Sequence, residues 1–335
     1  MLKETLTTIK KYFTENLAVD LGTSQITIAT NDKILLKEPT VVILRGTEVV
    51  AVGEKAKNII SKVPKDHRIV YPIVDGEIYD FDVAEVMITY FIEKVMKNHP
   101  NKIMKPSPKI ISTVATKSSP VQQKNIKELF FKAGASEVIL IPQSLSAAIG
   151  LDLPIDEKEC YFLLNIGAGL TELSVLSLNQ ILEYKTINIG GNSLTKEIKE
   201  LVLARESVNI SYATAEKLKI ELSNPLYKNA NEEKTISVIG QEKNHNKPVE
   251  LIVGEKLISK AIKNQFNEIF NKFLKLLKEI NPDIAEDLYK NGLYVVGGSS
   301  NIKGLDKYIA NAIGLKVVVP KENEFAALEG CRVFL

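Results

Sequence analysis

The sequence predicts an α/β protein built from two related halves. Apolar residues alternate as in strands and recur at helical spacing by turns along the chain. The order strand, glycine turn, strand occurs once in each half. Each half then closes with a strand, a helix, a second strand and a helix of small residues. Such internal similarity is typical of a duplicated architecture.

The composition is that of a globular protein of two ordinary domains. Of the 335 residues, 45% are hydrophobic and 25% are charged. The 43 basic and 41 acidic residues nearly balance, so no nucleic-acid partner is expected. Two cysteines exclude a disulfide framework, and three scattered histidines give little support to a histidine metal site. Without a long apolar run or a signal peptide, we expect a cytoplasmic protein.

In the first half, the predicted elements come in a fixed order. They are a strand with a glycine turn at 17–24, a strand at 26–28, a strand at 109–116, a helix at 120–133, a strand at 137–141 and a small-residue helix ending at 150. Signals for the helix at 120–133 are complete. Ser119 is the expected N-cap, Pro120 takes the first helical position, Gln122 completes a capping box, and Gly134 follows the last turn.

The second half repeats this order. Its predicted elements are a strand with a glycine turn at 162–169, a strand at 173–176, a helix at 255–280 that stops before Pro282, strands at 293–296 and 316–319 with a helix between them, and a small-residue helix ending at 330. The stretch 224–248 is rich in Asn, Lys and Glu and holds two prolines. We interpret it as a surface loop within a domain, not as a linker.

The two glycine turns are candidate phosphate-binding sites. The first contains Gly22, Thr23 and Ser24, and the second contains Gly167, Ala168 and Gly169. Glycine allows close backbone approach, and successive N–H groups in such turns form an anion-binding concavity. Alone, each is more often an ordinary turn. As a pair in a duplicated chain, they predict a polyphosphate held from both sides.

At these residues the sequence resembles the actin, heat-shock chaperone and sugar-kinase ATPase superfamily, and within it the MreB family of bacterial actins. The similar segments are 16–24, 37–41, 51–56, 72–81, 133–138, 147–150, 189–191, 215–219 and 297–300. The resemblance implies an actin-like ATPase fold, with two duplicated RNase H-like domains, each with a smaller subdomain, and a nucleotide cleft between them. The implied boundaries are subdomain IA at 1–41, 76–154 and 323–335, IB at 42–75, IIA at 155–190 and 256–322, and IIB at 191–255.

The resemblance also assigns roles to single residues toward ATP or ADP and Mg²⁺. Both glycine turns would hold phosphates, and Asp20 would hold Mg²⁺ through water. Glu216 and Lys219 would contact the nucleoside, and Gly297 with Gly298 would lie under the adenine. From the residues alone, Glu216 and Lys219 would more often be a solvated helix pair, and the two glycines a strand-to-helix turn.

Three departures from the family pattern fall on the catalytic positions. Gln143 stands where the family usually has a glutamate that activates water, Asn165 replaces an aspartate near Mg²⁺, and Leu170 replaces a water-positioning hydroxyl. Glutamine can hydrogen-bond water but cannot take its proton. A lost base or positioning group typically costs about 10²–10⁴-fold in rate. We therefore expect a divergent paralogue that keeps nucleotide binding and hydrolyses ATP slowly, unless other residues compensate.

Two segments are candidate membrane contacts. Leu2, Leu6, Ile9 and Phe13 form one apolar stripe with lysines beside it, as in an interfacial helix or in a helix packed on its own domain. Ile103 and Met104 lie among lysines, where the family has a loop that inserts into the bilayer. The expected location is the inner face of the cell membrane, bound peripherally to anionic lipid.

The resemblance implies a filament protein that governs cell shape or shape-based motility. Its expected partners are further copies of itself, other MreB paralogues and the membrane. Wall-less helical bacteria are a source that this reasoning suggests by analogy. The alternatives are a small-molecule kinase, for which no carboxylate base is evident, a chaperone ATPase, for which no substrate-binding domain follows Leu335, and an FtsA-like membrane adaptor, for which no amphipathic tail is seen.

Overall fold

The structure is a computed structural model that describes residues 16–97, 107–228, 233–245 and 247–335. The chain divides into two units. Unit 1 comprises Met1–Pro154 and Phe325–Leu335, and unit 2 comprises Ile155–Glu324. None of the described helices is both long enough and apolar enough to span a bilayer.

Residues 16–154 contain ten strands and four α-helices among those described. The strands are β1 (Leu17–Leu21), β2 (Gln25–Ala29), β3 (Ile34–Pro39), β4 (Val42–Arg45), β5 (Glu48–Val52), β6 (His67–Val70), β7 (Ile73–Val74), β8 (Glu77–Ile78), β9 (Lys109–Val114) and β10 (Glu137–Pro142). The helices are α1 (Glu54–Ile59), followed by a 3₁₀ turn (Ile60–Lys62), α2 (Phe81–Met96), α3 (Pro120–Lys132) and α4 (Gln143–Gly150).

Residues 155–335 follow a similar plan. The strands are β11 (Tyr161–Ile166), β12 (Thr171–Ser177), β13 (Gln180–Ile187), β14 (Val208–Asn209), β15 (Thr235–Glu242), β16 (Pro248–Gly254), β17 (Leu293–Val296) and β18 (Val317–Val318). The helices are α5 (Gly191–Glu206), α6 (Tyr212–Leu222), α7 (Glu255–Glu279), α8 (Pro282–Asn291), a 3₁₀ turn (Gly298–Asn301), α9 (Leu305–Ile313) and α10 (Ala326–Arg332). Helix α10 belongs to unit 1.

The central sheets confirm the internal duplication. In unit 1 the strand order is β3-β2-β1-β9-β10, and in unit 2 it is β13-β12-β11-β17-β18. In both sheets the first three strands are antiparallel neighbours, and the last three are parallel. The carboxyl ends of the parallel strands therefore meet at one edge of each sheet, where loop residues from different strands come together.

Alternation along β1 separates two cores in unit 1. Val19 and Leu21 face the larger core, which α2 and α3 cover, while Ala18 packs with Leu328 of α10 on the other face. Asp20 shares the face of Ala18 by the same alternation. The Asp20 side chain therefore lies on the face of the sheet that α10 covers.

Helices α4 and α10 follow the last strand of each repeat, and both pack in unit 1. A Cβ atom on Gly330 would lie 1.8 Å from Ser146 O, and one on Gly150 would lie 2.0 Å from Ala326 O. Glycine therefore permits the close crossing. The Ser146 hydroxyl donates a buried hydrogen bond to Ala327 O at 2.7 Å.

The cap of α3 is confirmed only in part. Ser119 Oγ accepts the Gln122 N–H at 3.2 Å, and Pro120 occupies the first turn as predicted. The full capping box is wrong, because the buried Gln122 Oε1 accepts no hydrogen bond from the described residues. The single bond from the Gln122 N–H to Ser119 Oγ is therefore sufficient to start this helix.

The loop predicted at 224–248 is wrong in its middle, although it does lie within unit 2 as expected. Strand β15 fills Thr235–Glu242 and pairs with both β14 and β16. Val238 is buried, whereas its neighbours Ser237 and Ile239 are exposed. One face of the strand therefore meets water, and the apolar Ile239 on that face interrupts the alternation that would have predicted a strand.

Candidate functional site

The first glycine turn joins β1 to β2 through residues 22–25. The Gly22 N–H donates to Gln25 O at 3.1 Å. A Cβ atom on Gly22 would lie 2.5 Å from that same oxygen, so only glycine fits without a shift. Thr40 holds the turn from the end of β3, because its Oγ1 donates to Gly22 O at 2.9 Å and its N–H donates to Ser24 O at 3.0 Å. Thr23 Oγ1 accepts the Gly76 N–H at 3.0 Å.

The second glycine turn joins β11 to β12 in the same way. The Gly167 N–H donates to Leu170 O at 3.0 Å. Helix α5 then seats the turn, since the N–H groups of Gly191 and Asn192 donate to the oxygens of Gly167 and Ala168 at 2.9 and 2.8 Å. The first turn of α5 is thus fixed against the candidate phosphate-binding backbone.

The strand registers make the two turns equivalent residue by residue. Leu21 pairs with Ile26 across the first turn, as Ile166 pairs with Thr171 across the second. Gly22 therefore matches Gly167, Thr23 matches Ala168, Ser24 matches Gly169, and Gln25 matches Leu170. One position before each strand end, Asp20 matches Asn165.

Asp20 lies at the carboxyl edge of the parallel strands of unit 1. Its Oδ1 accepts a hydrogen bond from Thr113 Oγ1 at 2.7 Å. Cys331 of α10 is buried nearby. Burial raises the pKa of its thiol to about 12, and the Asp20 charge contributes to the rise, against a lowering by the Ser146 hydrogen bond. The thiol therefore stays protonated beside the carboxylate at neutral pH.

Gln143 is the first residue of α4 and directly follows β10. Since β1, β9 and β10 are parallel neighbours, Gln143 lies at the same sheet edge as Asp20. Thr116 fixes the start of this helix: its Oγ1 accepts the Ser144 N–H at 3.3 Å and donates to Ser144 Oγ at 2.9 Å. Unit 1 thus brings together Asp20, Gln143 and the turn at Gly22.

In unit 2, Lys219 reaches the glycine turn from α6. Its Nζ donates to Gly191 O and to Thr195 Oγ1, each at 2.9 Å. The ammonium group therefore lies over the first turn of α5, which itself binds the turn at Gly167. Glu216 is half-buried one helical turn earlier on the same helix.

Gly297 and Gly298 begin the turn after β17, the parallel neighbour of β11. Gly297 has φ +89°, and a Cβ atom there would lie 2.5 Å from Asn165 Oδ1. Ser299 Oγ donates to Gly167 O at 3.3 Å. Unit 2 therefore collects Asn165, the second glycine turn and the two adjacent glycines at one edge.

The candidate membrane residues cannot be placed relative to this site. Leu2, Leu6, Ile9, Phe13, Ile103 and Met104 all lie outside the described residues. Across the residues that the structure does describe, no three His, Cys, Asp or Glu side chains form a group able to hold a metal ion. Asp20 is the single carboxylate that the sequence singled out at these edges.

The family model for the MreB/Mbl protein matches residues 14–335. The chain belongs to the MreB/Mbl family. Its relatives include the cell shape-determining protein MreB of Haemophilus influenzae, 32% identical over 321 residues, which cover 94% of this chain and 91% of that protein. The MreB protein of Escherichia coli is 31% identical over 324 residues, covering 94% and 92%.

Solved structures show that the fold is the actin-like ATPase fold. The crystal structure of MreB 5 of Spiroplasma citri bound to AMPPNP matches with a TM-score of 0.88 at 23% identity and covers 96% of each chain. The MamK double helical filament matches with a TM-score of 0.76 at 20% identity, covering 95% of this chain and 97% of that one. The family match and the shared fold together make the chain a member of an actin-like cytoskeletal family.

Several residues that build the turns in this MreB/Mbl member were missed from the sequence. They are Thr40, Thr113, Gly191, Thr195 and Ser299. Thr40, Gly191 and Ser299 lay in segments similar to the family, but no role followed from them. The hydroxyl groups gave no local signal, because each of them also bonds to a residue on another element.

Proposed function

We propose that the chain binds ATP or ADP with Mg²⁺, and that nucleotide binding controls its assembly into filaments. The carrying observation is that both repeats close a four-residue turn with the same N–H to C=O bond, at Gly22 and at Gly167. Each turn would contribute backbone contacts to phosphate. The Spiroplasma citri MreB 5 structures bound to AMPPNP and to ADP support this choice of ligand.

The donor chemistry fits Mg²⁺. This ion keeps several waters and takes one or two carboxylates plus phosphate oxygens, and when bound it neutralises phosphate charge. Asp20 supplies one half-buried carboxylate beside the turn at Gly22. Asn165 supplies a neutral oxygen at the equivalent position of unit 2. Asp20 would therefore be the principal metal-facing group, acting through water.

Unit 2 would supply the nucleoside contacts. Lys219 places a positive charge next to the turn at Gly167, and Glu216 lies on the same face of α6. Gly297 and Gly298 expose backbone at the edge next to that turn, where a flat base can approach closely. These roles, like the four-subdomain division, are proposals for the residues named.

Calorimetric titration with ATP and Mg²⁺ tests nucleotide binding. Gly167→Val should weaken binding strongly, since a Cβ atom there would lie 3.1 Å from Leu170 O and the branched side chain would cover the turn. Gly46→Asn is the matched control. Gly46 is also a hairpin-turn glycine, it has open space around it, and asparagine tolerates its φ of +58°. No heat of binding with the wild-type protein would contradict the proposal.

Slow hydrolysis is the second part of the proposal. Gln143 cannot accept the proton of the attacking water, and Leu170 places an apolar side chain at the end of the second turn. A phosphate-release assay should show slow turnover by the wild-type protein and faster turnover by Gln143→Glu combined with Leu170→Thr. Gln123→Glu with Leu182→Thr makes the same chemical changes away from both turns. Equal rates in all three proteins would contradict this part.

Assembly is the third part, and family membership favours it over a kinase or a membrane adaptor. The MamK filament has the same fold. Pelleting and electron microscopy with ATP, with ADP and without nucleotide should show nucleotide-dependent filaments, because linkage between nucleotide and assembly is reciprocal. Filaments that form equally well without nucleotide would contradict this part, because assembly would then not depend on nucleotide binding at the two glycine turns.

Peripheral binding to anionic membrane is the last part. Leu17 pairs with Ile110 on adjacent parallel strands, so β1 and β9 begin at the same edge of the sheet. Liposome flotation should be reduced when residues 1–13 are deleted and when Ile103 and Met104 become serine. Ile239→Ser with Ile252→Ser is the control, since these side chains are 73% and 69% exposed on β15 and β16. Unchanged flotation in both test variants would exclude these contacts.

A further inference from the structure

A buried hydroxyl on β9 holds the Asp20 carboxylate. Thr113 is 2% exposed. Its Oγ1 accepts the Leu21 N–H at 3.2 Å and donates to Asp20 Oδ1 at 2.7 Å. A hydroxyl has a single proton. Because the Leu21 N–H already occupies a lone pair, the proton of Thr113 is directed at the carboxylate.

The sheet explains why a threonine can do this. The ladder between β1 and β9 runs from Leu17 opposite Ile110 to Val19 opposite Ser112, and it ends there. One position further, the side chain of Thr113 takes the N–H of Leu21 in place of a backbone partner. Threonine is β-branched, so few rotamers are open to it in a strand. The hydroxyl is therefore held in place by both the backbone bond and its own side-chain stiffness.

The second repeat provides an internal comparison. Asn165 matches Asp20, and it pairs with Val296 on β17 in the register that Thr113 occupies on β9. Valine has the shape of threonine without the hydroxyl. The repeat that keeps the carboxylate thus has the hydroxyl that orients it, and the repeat with the neutral amide has none at that position.

We propose that Thr113 is a positioning residue that fixes the Asp20 carboxylate for Mg²⁺-dependent nucleotide binding. This inference rests on the proposed function. Thr113 is buried, and its hydroxyl acts through Asp20. A carboxylate that reaches a metal through water has no direct bond to orient it. A fixed hydrogen bond therefore decides which of its oxygens faces the water, as outer-shell partners do in other metal sites.

The test compares Thr113→Val, which removes the hydroxyl and keeps the shape, with Thr113→Ser, which keeps the hydroxyl. ATP affinity is measured by calorimetry with Mg²⁺ and again with EDTA. Thr113→Val should weaken binding about 10-fold with Mg²⁺, the low end for outer-shell partners, and should leave the EDTA affinity unchanged. Thr113→Ser should restore the Mg²⁺-dependent affinity. Melting temperatures identify any variant that is poorly folded, and Thr113→Ala replaces valine in that case.

A double-mutant cycle separates this role from a structural one. If Thr113 acts through Asp20, Thr113→Val should add little once Asp20→Asn is present. Equal losses with Mg²⁺ and with EDTA would show a merely structural role and overturn the inference, as would an unchanged Mg²⁺ dependence in Thr113→Val. Failure of the wild-type protein to bind ATP at all would instead refute the proposed function.

Discussion

The crossing of α4 and α10 can be tested with a single methyl group. Gly330→Ala would place Cβ 1.8 Å from Ser146 O and 2.5 Å from Ser146 C. Real Cβ atoms essentially never approach closer than 3.0 Å. Because both atoms belong to helical backbone, no side-chain rotation can relieve the contact. The two helices must therefore move apart by about 1 Å or more in an interior packed like a crystal.

The expected cost follows from two effects. Overpacking of this kind costs about 1–3 kcal/mol of the free energy of unfolding. Separation of the helices also lengthens the buried bond from Ser146 Oγ to Ala327 O, now 2.7 Å, and losing it costs about 1 kcal/mol. Together they give about 3 kcal/mol. For a domain of this size, that is a fall in melting temperature of about 6–12 °C.

Thermal unfolding followed by circular dichroism measures the effect without nucleotide. Ser146→Ala removes the hydroxyl that bonds Ala327 O and Cys331 Sγ without adding bulk, and it should cost about 1 kcal/mol. Gly298→Ala is the matched glycine control, since no atom lies within 4 Å of the position that its new methyl group would take and its φ is not positive. If Gly330→Ala melts within about 2 °C of the wild-type protein, the close crossing described for these helices is wrong.

Three further predictions concern other buried groups. Burial raises the pKa of Cys331 to about 12 in the folded protein, above the unfolded value of about 8.5, so its contribution to stability is complete below the unfolded pKa and is lost as pH rises toward the folded one. Cys331→Ala should therefore flatten the fall in melting temperature between about pH 9 and 11. Parallel curves of melting temperature against pH for the two proteins would contradict this. Gly297→Ala should destabilise the protein through its φ of +89° and the contact with Asn165, whereas Gly298→Ala should not, as melting curves of the two variants will show. Glu38 accepts the Glu54 N–H that starts α1 at 2.6 Å and raises the pKa of Lys94 through a hydrogen bond. Glu38→Gln should lower the free energy of unfolding in urea by about 1–2 kcal/mol, a small value because Lys94 is half-exposed. An unchanged urea midpoint would refute this prediction.

Local signals were enough to predict several of the elements. The helix at Pro120–Lys132 carries its N-cap and its first-turn proline within a few residues of each other. Both glycine turns were visible because a tight turn between two apolar strands needs glycine at a fixed position. The repeated series of strands, glycine turns and helices predicted the duplication, but the order of the strands within each sheet was not predicted, since connection rules narrow the possible orders without fixing one.

Contacts between distant elements were not predictable. Thr113 and Asp20 are 93 positions apart, and nothing near Thr113 in the sequence distinguishes it from other strand threonines. Lys219 was predicted as a ligand contact, yet its fixed position over α5 depends on Gly191 and Thr195. Such placements depend on the register of the sheet and on the packing of the helices. Both result from many residues along the chain together, so they cannot be inferred from any one residue and its neighbours in the sequence.

The two repeats share a backbone and differ in chemistry, and under the proposed function this difference predicts where hydrolysis would be limited. Turn closure needs only glycine at its first position, which both repeats keep. The side chains beside the turns differ, because unit 1 has Asp20 with Thr113 while unit 2 has Asn165 with Val296. Of these two positions, only the one in unit 1 therefore offers a negative charge to a metal ion. Water positioning, which Leu170 would impair, would depend on unit 2, so Leu170→Thr alone should raise turnover more than it changes affinity for ATP with Mg²⁺.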